Sequence, residues 1–437
     1  MEVQILSSAL AHPSGGPTIH PPKLKSHSII PNPPCNAIKR KTKSLAAARR
    51  GGTPLKICLT IFSSPWSEFK GGGQIAVHQL ACALQAKGCD VHVIYSKSPG
   101  ESLAPDVPYK IHWTRHYPFP TLNLDIFTFA RTLHRLTKRE RFDIIHGNAE
   151  ESVFAPGIAQ KFGADFVFTN HAPYIPATGV LGGMRRPLFF LKRLNSYLLR
   201  AAAGRANRII AFSGFSRSLV VDALGRESEN RVLTIPPGID PAWGELRRNP
   251  DPGRGLIFWG RVEEEKGIPE LLHALKIVAK QVPQVDLTLV GEGTRLEEYR
   301  ELAHSLDISL LVNFTGWLEA EEIRGLAARA RVGVFPSRVE SFGMAAAEAL
   351  AAGLPIIAAR AGALPEIVED GVTGTLVPPR DAEALARAIL HTLNHPDAAR
   401  EMAERGRQAA RENFSWDTAA DKIIRLYGDL RAQSQTP

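Results

Sequence analysis

The sequence contains few cysteines and lacks any long apolar run. Four of its 437 residues are cysteine, at positions 35, 58, 82 and 89, and no two of them form a CxxC pair. This spacing disfavours a disulfide framework and a zinc site, and buried free thiols in a reducing compartment are the better interpretation. No apolar run approaches the ~20 residues that a membrane-spanning helix needs. These absences predict a globular, cytoplasmic protein.

Most of the chain also lacks a charge bias. The formal net charge is +9, but residues 1–53 hold eight basic residues and one acidic residue, so the remainder carries +2. A near-neutral body argues against nucleic-acid binding. The basic segment 1–53 has seven prolines and no regular period, so we predict that it is disordered. It lacks the apolar core of a signal peptide. Contact of this tail with a membrane or a partner stays open, as does a start codon assigned too far upstream.

From Leu55 onward, apolar strands alternate with helical patterns, which is typical of parallel sheets with helices on both faces. The predicted strands of the first half are Leu55–Phe62, Asp90–Tyr95, Phe142–His146, Asp165–Thr169, Arg208–Phe212 and Val232–Ile235. Those of the second half are Leu256–Trp259, Asp286–Val290, Leu311–Phe314, Val332–Phe335, Pro355–Ala358 and Gly374–Val377. The predicted helices include Ile75–Lys87, Asp125–Glu140 and Leu188–Ala203. The sequence therefore predicts an α/β fold with two doubly wound domains.

The densest cluster of proline and glycine in the folded part lies between these halves, at Pro236–Pro241 and Asn249–Gly253. Such composition is typical of a domain boundary. We predict a first domain over residues 54–240, a linker over 241–254, a second domain over 255–413, and a last helix and tail over 414–437. Ser415 is expected to cap that helix. Ligands of such sheets bind outside the carboxyl ends of the strands, so we expect a cleft between the two domains.

Two carboxylates, Glu340 and Glu348, stand eight positions apart behind a predicted strand. The alanine-rich run around Glu348 predicts a helix, which places Glu340 in the strand-to-helix loop. The first helical amides, near Phe342, Gly343 and Met344, have no intrahelical acceptor and attract an anion. The pattern suits a ligand with a polyol at each end and a phosphate between them, such as a sugar nucleotide.

The segment from residue 336 to residue 374 resembles the retaining GT-B glycosyltransferases of glycosyltransferase family 4 (group 1, glycogen-synthase-like). Pro336-Ser337, the two glutamates, Gly353-Leu-Pro, Gly362-Ala-Leu-Pro-Glu366 and Asp370-Gly-Val-Thr-Gly374 come in the family's order. The resemblance implies the GT-B architecture, in which two Rossmann-like domains face a cleft and the C-terminal helix crosses back to the first domain. It also implies that Glu340 stabilises the sugar and that Glu348 holds the ribose.

Arg261 and Lys266 follow the first strand of the second domain. A cation pair just past a strand end suits a diphosphate, which Arg contacts bidentately and Lys meets as a point charge. The run resembles the family's Gly-Arg…Lys-Gly segment, which implies that both side chains stabilise the leaving nucleoside diphosphate. The chain has no Asp-x-Asp pair, the usual means of holding a divalent ion on a diphosphate. We therefore predict no metal and no other cofactor.

Three glycines, Gly71 to Gly73, precede the first long helix, where bare backbone allows a phosphate or sugar to approach. The family has a glycine pair here, which implies donor contact for Gly72 and Gly73. The alternative is a dinucleotide fingerprint, since Gly71, Gly73 and Ala76 fit GxGxxA. The separation of these glycines from the preceding strand and the lack of a ribose-binding acid after Tyr95 argue against it. Gly291 lies in a Gly-Glu-Gly segment that resembles one near the family's donor.

His171 closes a predicted strand on the cleft side. By resemblance, this histidine contacts hydroxyls of the donor sugar and belongs to the catalytic set with Glu340, Lys266 and Arg261. His146 is a weaker candidate for lining the acceptor site. Residues 182–200 are basic and rich in large apolar residues, which suits either packing on the sheet or contact with the inner membrane surface.

We expect a retaining, metal-independent transfer of a hexose from a nucleoside-diphosphate sugar to an acceptor hydroxyl. The acceptor, whether a glycan, a lipid-linked sugar or a small molecule, is not specified by any pattern. A catalytically silent carbohydrate-binding protein on the same fold is one alternative, and an NAD-dependent oxidoreductase is another.

Overall fold

The structure is a computed structural model, and it describes residues 49–50, 53–67, 72–97, 106–116, 125–171, 197–249 and 253–434. By its internal contacts the chain divides into Met1–Pro34 and Cys35–Pro437. The second unit contains all of the described residues. Most of the segment 1–53 and residues 182–196 of the basic helical pattern lie outside the described residues, so the predictions made for them stay predictions.

A parallel sheet of seven strands forms the first half of the fold. A short antiparallel hairpin, β1 (Arg49–Arg50) with β2 (Thr53–Pro54), comes before it. The sheet strands are β3 (Lys56–Ile61), β4 (Asp90–Lys97), β5 (Lys110–Arg115), β6 (Ile144–Gly147), β7 (Asp165–Asn170), β8 (Arg208–Ala211) and β9 (Val232–Thr234). Their order across the sheet is β5-β4-β3-β6-β7-β8-β9. The sequence did not predict β5, and it did not predict the hairpin.

A parallel sheet of six strands forms the second half. Its strands are β10 (Leu256–Trp259), β11 (Leu287–Val290), β12 (Val312–Gly316), β13 (Val332–Phe335), β14 (Ile356–Ala359) and β15 (Thr375–Val377). They are ordered β12-β11-β10-β13-β14-β15. In each sheet the chain reverses direction of winding beside its first strand, between β3 and β6 and between β10 and β13. Loops at such a point open a crevice at the carboxyl ends of the strands.

Helices connect the strands. They are α1 (Gly72–Ala86), α2 (Asp125–Glu140), α3 (Ala155–Phe162), α4 (described over residues 197–204), α5 (Gly214–Leu224), α6 (Pro241–Gly244), α7 (Ile268–Ala279), α8 (Leu296–Ser305), α9 (Ala320–Arg329), α10 (Met344–Ala351), α11 (Leu364–Ile367), α12 (Ala382–Asn394), α13 (Pro396–Asn413) and α14 (Trp416–Gln433). Short 3-10 turns cover Glu150–Ser152, Arg226–Arg231, Glu264–Lys266 and Ser309–Leu311. No helix in the described part of the chain is both long and apolar enough to cross a membrane.

Both faces of the first sheet are covered by helices. One core cluster joins the sheet to α1 and α14, and a second joins it to α2, α3, α4 and α5. The central strands are apolar on both faces, as buried parallel strands require. Cys58, Cys82 and Cys89 are free thiols buried in these cores, as predicted. The two-domain Rossmann-like fold predicted from the alternating pattern is confirmed.

Helix α14 returns to the first domain. Ser415 caps it by accepting a hydrogen bond from the Thr418 amide at 3.0 Å, and the helix packs against α1. Lys87, the residue after α1, pairs with Asp421 of α14 at 2.8 Å. The linker passes directly beside the start of this helix, because the Ile239 amide donates to the Phe414 carbonyl at 2.9 Å. The chain therefore crosses between the two sheets at two adjacent points.

Candidate active site

Two loops meet at the point where the second sheet reverses its winding. One follows β10 and ends at Gly267, and the other follows β13 and begins at Pro336. Gly267 has a φ of +68°, and a Cβ on it would lie 2.1 Å from the Pro336 carbonyl oxygen. Because the two backbones touch here, a side chain at position 267 would separate the loops. This contact places Lys266 beside the loop that carries Glu340.

Lys266 and Glu340 form an ion pair. The Lys266 ammonium donates to Glu340 Oε1 at 2.6 Å, and the Ser337 hydroxyl donates to the same oxygen at 2.9 Å. The two charged side chains are 15% and 17% exposed, so the pair is largely shielded yet still reachable from solvent. Lys266 thus neutralises and orients Glu340.

Arg338 connects the loop that carries Glu340 to the segment that carries Lys266. Its guanidinium donates twice to Glu270 Oε1, at 2.9 and 2.7 Å, and its amide donates to the Glu265 carbonyl at 2.7 Å. A charged, two-pronged contact of this kind fixes orientation as well as distance. The loop after β13 is therefore bonded to Glu265 in the loop after β10 and to Glu270 in α7, on either side of Lys266.

Arg261 lies in the same loop as Lys266 but faces solvent. Its side chain is 67% exposed and pairs with Glu265 at 2.7 Å. An exposed ion pair of this type contributes little stability, so the guanidinium can turn toward a ligand at small cost. Of the two predicted diphosphate cations, Lys266 contacts Glu340 and Arg261 pairs with Glu265.

Helix α10 points its amino end at this region. Gly343 caps it with a φ of +99°, a conformation that favours glycine. The Ala347 amide is bonded to the Gly343 carbonyl at 3.0 Å, so the amides from Met344 to Ala346 precede the intrahelical ladder and remain available for an anion. Phe342 is buried against Phe414, with ring centroids 5.4 Å apart, so its side chain belongs to the core.

Glu348 lies in the second turn of α10, as predicted, and its carboxylate faces β10. The Trp259 indole donates to Glu348 Oε2 at 2.8 Å, and Trp259 stacks on Trp243 with centroids 5.3 Å apart. Burial raises the pKa of Glu348 to about 7, and the nearby charge of Asp240 acts in the same direction, while the Trp259 hydrogen bond opposes it. A partly buried carboxyl group with one bound oxygen suits recognition of a ligand hydroxyl.

Gly291 serves backbone packing at the same edge of the sheet. It has a φ of +138°, and a Cβ on it would lie 1.8 Å from the Gly260 carbonyl oxygen. Gly293 approaches the Val262 carbonyl in the same way. Both glycines therefore let the loop after β11 lie against the loop after β10. The predicted donor contact of Gly291 has this structural reason beside it.

The first domain places His171 and Gly73 next to each other. His171 Nε2 lies 2.8 Å from Asn148 Oδ1, and a Cβ on Gly73 would lie 3.6 Å from His171 Nδ1. Burial lowers the pKa of His171 to about 4, so the imidazole is neutral at physiological pH. Gly72 opens α1, and among the described residues no atom lies within 4 Å of a Cβ placed on it.

Asn148 was not predicted as a site residue. Its side-chain amide donates to the Thr60 carbonyl at 3.0 Å, which leaves Oδ1 to accept from His171. This arrangement fixes the tautomer: His171 carries its proton on Nε2 and presents Nδ1 toward Gly73. The available signal was position, because Asn148 follows β6 where the first sheet reverses its winding.

Glu151 also escaped prediction. It is buried beneath Asn148. Its Oε1 accepts hydrogen bonds from the Thr60 hydroxyl at 2.9 Å and from the Asn148 backbone amide at 3.3 Å. Burial raises its pKa to about 8. In the described part of the chain, Glu151 Oε2 has no hydrogen-bond partner, which fits a protonated carboxyl group supporting the loop.

His146 does not line the cleft, so that interpretation is wrong. It is fully buried, with Nδ1 2.5 Å from the Tyr427 hydroxyl and Nε2 2.6 Å from the Thr169 hydroxyl. Both ring nitrogens are engaged, and burial lowers its pKa to about 3. His146 therefore joins α14 to the first sheet.

The dinucleotide alternative lacks the geometry that it needs. Residues 62–71 separate the end of β3 from the start of α1, whereas that fingerprint requires a tight turn between strand and helix. Within the described ranges, no three His, Cys, Asp or Glu side chains converge as a metal site would require. Metal independence stays a prediction.

Comparison with known proteins assigns both halves of the chain. Residues 70–243 match the family model described as Glycosyltransferase Family 4, and residues 247–409 match the model described as Glycosyl transferases group 1. A glycogen synthase of Mycobacterium tuberculosis is 31% identical over 400 residues, covering 84% of this chain and 94% of that protein.

Solved structures agree with this assignment. Sucrose-phosphate synthase from Thermosynechococcus elongatus superposes with a TM-score of 0.73 at 25% identity, over 87% of this chain and 100% of that one. Anabaena HepE, crystallised in complex with UDP and glucose, gives a TM-score of 0.67 at 20% identity over 86% of this chain and 100% of that one. The chain belongs to glycosyltransferase family 4, the group 1 glycosyltransferases of GT-B fold.

Proposed function

We propose that this glycosyltransferase moves a hexose from a nucleoside-diphosphate sugar to an acceptor hydroxyl with retention of anomeric configuration and without a metal ion. The observation that carries the proposal is the Lys266–Glu340 pair, at 2.6 Å, beside the amino end of α10. One carboxylate, one ammonium and a set of open helix amides meet the needs of a sugar joined to a diphosphate.

Glu340 is the group that faces the reacting sugar. Its negative charge interacts more strongly with the oxocarbenium-like sugar of the transition state than with the uncharged sugar of the bound donor, so it accelerates the chemical step. Lys266 holds this carboxylate in place at 2.6 Å before the donor arrives. Once the donor is bound, Lys266 stands between the carboxylate and the diphosphate and offsets the charge that develops on the leaving group.

Three positive sources replace a divalent ion in this proposal. Lys266 and the amides from Met344 to Ala346 are already in place, and Arg261 is free to turn inward from its exposed pair with Glu265. Glu348 contacts the ribose with the oxygen that Trp259 does not hold. The leaving phosphate then accepts the proton of the acceptor hydroxyl on the same face of the sugar, which gives retention.

His171 completes the site from the first domain. Its neutral imidazole, fixed by Asn148, offers Nδ1 as an acceptor for a sugar hydroxyl beside the bare backbone of Gly72 and Gly73. The glycogen synthase, sucrose-phosphate synthase and HepE named above differ in their products, so the acceptor of this chain stays open.

The first experiment is a thermal-shift screen against UDP, GDP and ADP sugars, followed by transfer and donor-hydrolysis assays in EDTA. We expect one nucleotide to raise the melting temperature and the matching sugar donor to be turned over. Proton NMR of the product reads the anomeric configuration. An inverted product would refute the retaining mechanism, and a strict need for Mn²⁺ or Mg²⁺ would refute metal independence. Nucleotide-sugar binding without turnover would favour the silent carbohydrate-binding alternative.

A further inference from the structure

A set of contacts away from the Lys266–Glu340 pair joins the two domains. Helix α5 of the first domain directs its amino end at the second domain. The Gly214 and Phe215 amides each donate to the Glu366 carboxylate at 2.7 Å. The Ser213 and Ser216 hydroxyls both donate to the Ser341 carbonyl, at 2.6 and 2.7 Å.

The two halves of this contact differ in burial. Ser213 and Ser216 are 2% and 1% exposed, so their bonds to Ser341 are shielded from water, whereas Glu366 lies at the exposed rim. Ser213 also caps α5 by accepting from the Ser216 amide at 2.9 Å. Because buried hydroxyls without a partner are costly, separation of the domains has to hydrate these groups or leave them unpaired.

The contact acts on the backbone of Glu340. Ser341 is its direct neighbour, and the Glu340 carbonyl accepts from the Ala363 amide at 3.0 Å. A Cβ on Gly362 would lie 2.4 Å from that carbonyl oxygen, so the Gly362–Ala363 turn lies directly against the backbone of Glu340. Glu366 follows three positions after this turn, and its amide bonds the Ala363 carbonyl at 2.9 Å. The first domain thus touches the Glu340 loop on one side and the segment supporting it on the other.

We propose that Ser213, Ser216 and Glu366 form an interdomain clasp that positions Glu340 for transfer when the two domains are closed. The inference rests on the role of Glu340 in the proposed function. The three residues are positioning residues, since none of them contacts Lys266 or Glu348. Binding of the nucleoside diphosphate draws on second-domain groups, while correct placement of Glu340 depends on closure.

The sharpest variant is Ser216→Ala. It deletes the hydroxyl that bonds Ser341 but keeps the backbone amide that Ser213 caps. Ser218→Ala is the matched control, because Ser218 lies two residues further along α5 and its hydroxyl bonds the Phe215 carbonyl at 2.8 Å within the same helix. Ser216→Thr is the conservative variant, since it retains the hydroxyl.

We expect Ser216→Ala to lower kcat roughly tenfold, because a small misplacement of a reacting group has an effect of at least that size. The Kd for the nucleoside diphosphate should stay within about twofold of wild type, because Ser216 positions Glu340 and does not contact the nucleotide. Ser216→Thr should recover most of the lost kcat. Ser218→Ala should match wild type. An unchanged kcat in Ser216→Ala would overturn the clasp, and so would a loss of nucleotide affinity as large as the loss of kcat.

A scattering measurement tests closure without activity. Small-angle X-ray scattering of the ligand-free Ser216→Ala/Glu366→Gln double variant should give a larger radius of gyration than wild type or Ser218→Ala. Equal radii would overturn the inference. If the wild-type chain transferred no sugar from any donor, the proposed function would fail, while the scattering comparison would still decide whether the clasp holds the domains together.

Discussion

Replacing Glu348 with glutamine should make the protein more stable and its nucleotide binding weaker. Burial raises the pKa of Glu348 from an ordinary 4.5 to about 7, so the folded protein holds this proton at pH values where the unfolded chain has released it. Stability is therefore full below about pH 4.5 and falls as the pH rises toward 7. Glutamine never ionises, and it still offers an oxygen to the Trp259 indole.

The size of the effect follows from the shift. Each pKa unit corresponds to ~1.4 kcal/mol, so ionisation of Glu348 costs up to roughly 3 kcal/mol of stability above pH 7. Glu348→Gln should recover much of this at pH 8 and little of it at pH 5. In Glu348→Gln, loss of the charged acceptor should also weaken nucleoside-diphosphate binding by roughly tenfold or more.

Thermal unfolding of wild type and Glu348→Gln at pH 5 and pH 8 gives the first result, and calorimetric titration with the nucleoside diphosphate gives the second. Glu383→Gln, which removes an exposed carboxylate of α12, is the control for the loss of one negative charge. The reasoning is refuted if the melting temperatures of Glu348→Gln and wild type differ equally at both pH values. It is also refuted if nucleotide affinity is retained.

Other substitutions separate the roles of the remaining site residues. Glu340→Ala should abolish transfer in a kinetic assay while nucleotide affinity persists, and full kcat would contradict its assignment. Lys266→Ala should lower turnover more than Arg261→Lys, because the first removes a charge and the second removes only bidentate geometry; equal kcat losses would show otherwise. Asn148→Ala should lower kcat through a misoriented His171, and the double variant with His171→Ala should then be no slower than His171→Ala alone. Additive losses in that cycle would mean that the two residues act independently.

Much of the fold follows from local pattern. Strands β10 and β13 were predicted residue for residue, because continuous apolar runs end at clear breaks in buried parallel strands. Strand β5 was missed for the opposite reason. It lies at the sheet edge and has one fully buried residue out of six, so Lys110–Arg115 mixes cations, histidine and tryptophan and shows no apolar run. Pairing with β4 makes it a strand, and its paired residues lie 18 positions earlier, as in His92 with Lys110, outside the span of a local pattern.

In the candidate site, too, local spacing predicts some features, while others depend on contacts between distant residues. Glu340 and Glu348 sit within one strand–loop–helix segment, so their spacing alone places the first in the loop and the second in the helix. The pairing of Lys266 with Glu340 joins residues 74 positions apart. It depends on the backbone contact between Gly267 and Pro336, which no local pattern predicts. Asn148 and Glu151 belong to no motif, since their value lies in bonds to Thr60 and His171 that only the folded sheet creates.

Glu348 and Glu340 have different surroundings and different hydrogen-bond partners. Glu348 is partly buried against an indole, where burial favours its protonated form and the single hydrogen bond compensates in part. Glu340 instead accepts hydrogen bonds from the Lys266 ammonium and the Ser337 hydroxyl. A ribose hydroxyl needs an acceptor of modest strength in a fixed place, whereas a developing positive charge needs a carboxylate that is already ionised. Two glutamates eight positions apart can meet both needs because one lies inside a helix against β10 and the other lies in a loop beside Lys266.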